Sequence, residues 1–183
     1  MIEDEKIYLR NFALEDAPVL YKWGKNAEFH KMAGFNQFNN IAEAEKAAQE
    51  YVKRPYSYAV CLRETNQVIG LVELYERGMD VNSGLLQTKE IGFLIDPSFE
   101  GKGLMRDALR LVLDYAFGKM DQTEIWAGTF EQNIRSQKLL ENLGFHYVYE
   151  YDMSQISEIF SYKEKYYLLK KAEWLKIDEN TKS

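Results

Sequence analysis

The chain has 183 residues, 46% hydrophobic and 28% charged, with 23 Lys+Arg against 29 Asp+Glu for a formal net charge of −6. That balance predicts one globular domain with a real core and excludes disordered, collagen-like and repeat-rich classes; its interleaved, net acidic charge disfavours phosphate-backbone binding, so no nucleic-acid partner is expected. One cysteine, Cys61, and two histidines, His30 and His146, offer neither a disulfide nor a zinc-ligand set, and the lack of a long apolar window or apolar leader predicts a cytoplasmic protein with no membrane partner.

Ile7 to Phe12 alternates apolar and polar residues, a strand signal, and Glu15-Asp16 ahead of Pro18 reads as the acidic first turn of a helix reaching Gly24. Lys25 to Asn40, with Phe29, Phe35 and Phe38 among Gly and Asn, reads as an irregular connector, whereas the Ala- and Glu-rich run Ile41 to Lys53 reads as a helix. Tyr56 to Leu62 and Gln67 to Tyr75 form a strand hairpin across Glu64-Thr65-Asn66. Gly78 to Gln87 is a polar turn region, and Glu90 to Ile95 a short apolar strand stopped by Asp96-Pro97. Leu104, Ala108, Leu111, Val112 and Tyr115 then share one stripe of an amphipathic helix. Glu124 to Thr129 reads as a strand, Ile134 to Leu143 as a helix ended by Gly144, and Phe145 to Tyr151 and Lys165 to Lys170 as two further strands. From Ile177 the chain is polar and reads as a frayed tail, giving one domain over residues 1–176 and a tail over 177–183. The order β-α-α-β-β-β-α-β-α-β-β predicts an α+β fold with one layer of mixed sheet flanked by helices.

Chemistry concentrates in two places. Glu100-Gly101-Lys102-Gly103-Leu104-Met105 puts two glycines between the end of a strand and the start of a helix. Glycine lets backbone approach a ligand closely, and the N–H groups of a helix's first turn form an anion site suited to a pyrophosphate. The alternative is a tight turn that binds nothing. The segment is neither the dinucleotide Gly-x-Gly-x-x-Gly fingerprint nor a P-loop, which would carry Gly-Lys-Ser/Thr. One strand later, Asn133-Ile-Arg-Ser136 opens a helix that closes at Gly144-Phe145.

Together, from residue 7 to 175, these features resemble the GNAT superfamily of acetyl-CoA-dependent N-acetyltransferases. The resemblance implies a mostly antiparallel sheet of about seven strands, in which strand 90–95 splays from strand 124–129 to form the cofactor cleft. It implies acetyl-CoA as co-substrate and no metal. The pantetheine arm would lie along Phe93, Leu94 and Ile95 as an added strand, and the pyrophosphate on the backbone of Glu100, Gly101, Lys102, Gly103, Leu104 and Met105. Asn133 would cap its helix and also meet the pantetheine arm, Ser136 would contact the cofactor, and Lys138 would reach its phosphates. Glu100 and Met105 depart from the family pattern, which carries Gln or Arg and Gly or Ala there.

A primary ammonium must lose a proton before it attacks a thioester. Glu90 matches the family's base position, with Glu73 in reserve. A backbone N–H near Phe93 or Leu94 would stabilise the oxyanion, and Ser136 would protonate the departing thiolate, because Leu140 stands where many members carry Tyr. That pattern is similar to the ribosomal-protein N-terminal acetyltransferase branch. The resulting expectation is direct acetyl transfer to an amine acceptor, a peptide N-terminus or a small amine, by a protein for which a homodimer is allowed. Its rivals are a polyamine N-acetyltransferase and a non-catalytic acyl-CoA-binding sensor. Trp23, Phe29, Phe35 and Phe38, with the 152–163 stretch, are the expected walls of the acceptor site. Cys61 reads as a core residue.

Overall fold

The computed structural model describes residues 2–77, 87–152 and 163–182. The chain forms two compact units, Met1–Leu74 with Phe93–Leu113, and Tyr75–Gly92 with Asp114–Ser183. No helix among the described residues is long and apolar enough to cross a membrane.

In the first unit, β1 (Ile2–Glu3), β2 (Ile7–Asn11), β3 (Ser57–Leu62) and β4 (Val68–Glu76, to Leu74 in this unit) hydrogen-bond in that order, each pair antiparallel. Alternation does its work on β2, where Ile7 and Leu9 are buried and Tyr8 and Arg10 are less so. Helices α1 (Ala17–Gly24), α2 (Ala27–Ala33) and α3 (Ile41–Lys53) complete the layer. Helix α2 lies inside the segment whose composition reads as a connector. Seven residues are too few for a periodic signal, but its ends carry ordinary signals: the Asn26 side chain accepts from Glu28 N, and Gly34 closes it at φ 63°.

The aromatic residues of that segment are core rather than cleft walls. Trp23 is 1% exposed, Phe29 and Phe35 are 8% exposed, and the three rings meet edge to face with centroids 6.3–6.5 Å apart. Phe38 packs against them from a part-buried position. Edge-to-face packing satisfies the ring quadrupoles, and the cluster also takes in Ala44, Ala48 and Tyr51 of α3. Cys61 is fully buried in the same cluster.

The second unit contains β5 (Thr88–Ile95) up to Gly92 and α4 (Leu104–Gly118) from Asp114, with β6 (Glu124–Phe130), α5 (Ile134–Asn142), β7 (His146–Asp152), β8 (Lys163–Lys170) and α6 (Lys171–Lys182). Here β5 pairs parallel with β6, β6 antiparallel with β8, and β8 antiparallel with β7. The described residues thus hold eight strands, mixed and mostly antiparallel, in an α+β fold. The eighth, against about seven expected from the pattern, is the two-residue β1, which is too short for alternation to reveal. The polar C-terminal stretch continues as helix to Lys182. Trp174 explains it: the ring is 2% exposed beside Phe117, and Nε1 donates to Asp114 Oδ1 at 2.8 Å.

Asp96 fixes the start of the turn after β5. It is 2% exposed and accepts from Lys22 Nζ at 2.6 Å, Ser98 N at 3.1 Å and Trp23 Nε1 at 3.4 Å. Burial pushes its pKa up, but the bonds from Lys22 and Ser98 outweigh it and hold the carboxyl below the ordinary 3.8. Asp96→Ala is expected to lower stability by about 2 kcal/mol at neutral pH, because it strips charged hydrogen bonds from a buried site. A depressed carboxyl pKa stabilises the fold above the unfolded value, and that contribution is lost as pH falls through the folded value. Urea unfolding of both proteins should therefore show the difference intact at pH 7 and shrinking below about pH 4.

Candidate active site

In the first unit, β5 ends and a 3-10 turn, Pro97–Phe99, leads into the glycine loop. Gly101 and Gly103 stand at φ 73° and 77°, the left-handed region that favours glycine. A Cβ at Gly101 would meet nothing within 4 Å, so glycine is required there for its backbone and not for space. Leu94, Leu104 and Met105 turn their side chains into the core at 5–7% exposure, and Met105 Cε lies 3.0 Å from where a Cβ on Gly70 would stand. These three therefore have only main chain to offer a ligand; Phe93 and Ile95 are part-buried. Glu100 and Lys102 are exposed, with Lys102 Nζ 5.0 Å above the Phe99 ring. Left-handed glycines ahead of a helix N-terminus form a concave set of N–H donors. That donor set fits the pyrophosphate of acetyl-CoA.

In the second unit, Asn133 caps α5, its Oδ1 accepting from Ser136 N at 3.2 Å. Ser136 is part-buried, Lys138 exposed and Leu140 fully buried. Gln137 pins the helix to the end of β6, donating to the carbonyls of Phe130 at 3.1 Å and Glu131 at 2.8 Å.

Glu90 is the centre of a charged and aromatic cluster in the same unit. The parallel pairing of β5 with β6 joins Thr88, Lys89 and Glu90 to Glu124, Ile125 and Trp126. Among the described residues it goes no further, although both strands continue, β6 to Phe130. At that end Glu90 Oε2 accepts from Arg77 Nη1 at 3.0 Å, and the Arg77 guanidinium lies 4.5 Å from the Trp126 ring and 5.7 Å from the Tyr166 ring. Tyr166 stacks on Tyr149, centroids 4.9 Å apart, and donates its hydroxyl to Glu164 Oε2 at 3.0 Å. Burial raises the Glu90 pKa above 4.5; Arg77 opposes the shift and Glu164 adds to it. Burial, then the charges of Glu164 and Glu90, push the Tyr166 phenol well above its ordinary range, so it stays neutral.

Of the other residues singled out in the sequence, Glu73 lies in the first unit, 4% exposed, paired with Arg54 Nη1 at 2.9 Å and hydrogen-bonded by Ser57. Its carboxylate is engaged in an internal ion pair. No hydrogen bond joins Glu90 to Ser136 among the described residues, and 153–162, most of the expected acceptor wall, lie outside them, as do 78–86. Sequence reasoning missed Arg77, Trp126, Gly128, Glu164 and Tyr166. Two alternations held the signal: Trp126 and Gly128 share one face of β6, and Glu164 and Tyr166 one face of β8.

The sequence matches the model of an acetyltransferase (GNAT) domain over residues 6–146. It is 31% identical over 155 residues to the probable N-acetyltransferase YjcK of Bacillus subtilis (strain 168), covering 80% of this chain and 83% of that one. The fold is similar to that of an acetyltransferase (GNAT family) from Bacillus anthracis, with a TM-score of 0.83 at 19% identity, covering 94% of this chain and 99% of the other. It is also similar to spermidine N-acetyltransferase from Vibrio cholerae, solved in complex with CoA and spermine, with a TM-score of 0.77 at 20% identity and coverage of 94% and 99%.

Gly101→Ala separates backbone from space. Since the new methyl meets nothing, the variant should lose only about 1 kcal/mol in denaturant unfolding, the cost of a left-handed alanine. Asn133→Ala, which removes the α5 cap, should cost about 1 kcal/mol in the same measurement.

Proposed function

The chain belongs to the GNAT family of acetyltransferases, and we propose that it acetylates a primary amine by direct attack, with Glu90 as proton acceptor. The observation that carries this reading is Glu90 itself, part-buried at the point where strand pairing stops, with its pKa raised by that burial. A carboxylate with a raised pKa is a stronger base than a solvated one, the property that deprotonation of an ammonium asks for.

Bound acetyl-CoA supplies the activated acetyl thioester. The N–H groups from Glu100 to Met105 hold its pyrophosphate in this reading, Phe93, Leu94 and Ile95 receive the pantetheine arm, and Asn133 and Lys138 add polar contacts. The backbone near Phe93 or Leu94 supplies an oxyanion donor, and the Ser136 hydroxyl gives a proton to the departing sulfur. The Ser136 amide is already committed to Asn133, so the hydroxyl is the group Ser136 can bring to that step.

We take the acceptor to be a peptide N-terminus, on the strength of Ser136 and of Leu140 in place of a helix tyrosine. A second reading, a polyamine acceptor, draws on two carboxylates, Glu90 and Glu164, beside the rings of Trp126, Tyr149 and Tyr166, a surrounding suited to a polycation. Its fold likeness to a spermidine N-acetyltransferase agrees with it.

An acetyl-transfer assay over peptide N-termini, polyamines and amino sugars tests the activity, and preference among them separates the two readings. Binding of acetyl-CoA by calorimetry with no CoA release from any acceptor would overturn it in favour of a sensor. Glu90→Gln should lower kcat about 100-fold at pH 7 and converge on the parent above about pH 10, where the amine is already neutral. The acid limb of the parent's kcat/KM should lie above the ordinary glutamate value of 4.5.

A further inference from the structure

Glu90 and Glu164 each commit one oxygen to a fixed partner and turn the other toward a common point. Glu90 Oε2 is taken by Arg77 Nη1 and Glu164 Oε2 by the Tyr166 hydroxyl, each at 3.0 Å. The remaining oxygens converge over Gly128: a Cβ built there would lie 2.8 Å from Glu164 Oε1 and 3.3 Å from Glu90 Oε1. Any side chain at 128 would fill this space, and the glycine leaves it to the two oxygens.

Charge makes the space selective. The groups facing Glu90 are Arg77 beyond β4 and Glu164 and Tyr166 on β8, while Lys89, its neighbour on β5, turns to Glu76 at 2.5 Å. Among the described residues, two carboxylates, one guanidinium and a neutral phenol sum to one negative charge. Arg77 bonds Oε2 of Glu90 and is stacked on Trp126, whereas the oxygen near Gly128 is Oε1. Like charges this close are unfavourable until a cation lies between them. A single ammonium group over Gly128 would supply it, with Trp126 and Tyr166 as nearby aromatic walls.

We propose that Glu164, held by Tyr166, binds the acceptor's ammonium beside Glu90 above Gly128 and so determines that the acceptor is a cationic primary amine. The proposal rests on Glu90 as proton acceptor. The ammonium donates one N–H to Glu164 Oε1 and transfers one proton to Glu90 Oε1, leaving a neutral amine and a neutral Glu90 carboxyl. Glu164 binds and positions, and Glu90 takes the proton.

The experiment is steady-state acetyl transfer with the best acceptor from the panel, comparing Glu164→Gln, Gly128→Ala and Glu90→Gln. Acetyl-CoA calorimetry and thermal melts establish that each variant is folded. Glu164→Gln should raise the acceptor KM at least tenfold and lower kcat by a smaller factor. Its acid limb should move to lower pH, because the Glu164 charge, which adds to the rise that burial causes in the Glu90 pKa, is gone. Gly128→Ala should raise the acceptor KM by blocking the space, with acetyl-CoA affinity retained; it decides the matter if Glu164→Gln fails to fold. An unchanged acceptor KM in both Glu164→Gln and Gly128→Ala, alongside a rate loss in Glu90→Gln, would overturn the ammonium site and leave Glu90 as the base. No effect of Glu90→Gln would overturn the reading on which the proposal rests.

Discussion

The hydrogen-bond ladder between β5 and β6 stops after Glu90 and Trp126, and the candidate chemistry depends on that stop. A paired strand spends its backbone groups on its neighbour and packs its side chains into a continuous face. Where pairing ends, side chains gain room without being carried out into bulk water. Glu90 sits at this boundary, dry enough for its pKa to rise and open enough to be reached by a partner. Arg77 completes the balance. Burying a carboxylate alone is costly, and a stacked guanidinium on one oxygen offsets much of the cost while leaving the other oxygen available.

The glycine loop meets the opposite demand with main chain alone. A chain of net charge −6 has no general field to attract a tetra-anionic cofactor. Gly101 and Gly103 take left-handed conformations ahead of α4, and the core takes the side chains of Leu104 and Met105. In the proposed reading, attraction comes from local dipoles, which work irrespective of the sign of the whole surface. Glu100, which breaks the family pattern, stands exposed, where its charge is screened by solvent. In the proposed ammonium site, acidity would have a use at the other location, where Glu164 would attract a cation.

Local signals carried far in this sequence. Ile41 to Lys53 is the observed span of α3, and Gly101, Gly103 and Gly144 occupy the positive-φ positions their settings suggested, because capping, periodicity and glycine act over a few residues. Asn133 is the cap it was read to be. Features of only one or two periods of the pattern escaped, namely β1 and α2. Burial was harder to read. The same aromatic residues suit a core or a cleft, and only packing assigned Trp23, Phe29 and Phe35 to the core and gave α6 its anchor in Trp174.

The sequence by itself determined the family, the α+β class and the glycine loop, since each depends on residue type at short spacing. The tertiary structure alone decided what surrounds each candidate carboxylate. Glu73 and Glu90 look equivalent on consecutive strands of the sequence, yet Arg54 and Ser57 bond the first, while Arg77 bonds one oxygen of the second. It also brought Glu164, 74 positions away by 164 − 90, over the same glycine as Glu90. No local pattern encodes that meeting, because it depends on strand register between β6 and β8, which pairs Gly128 with Tyr166.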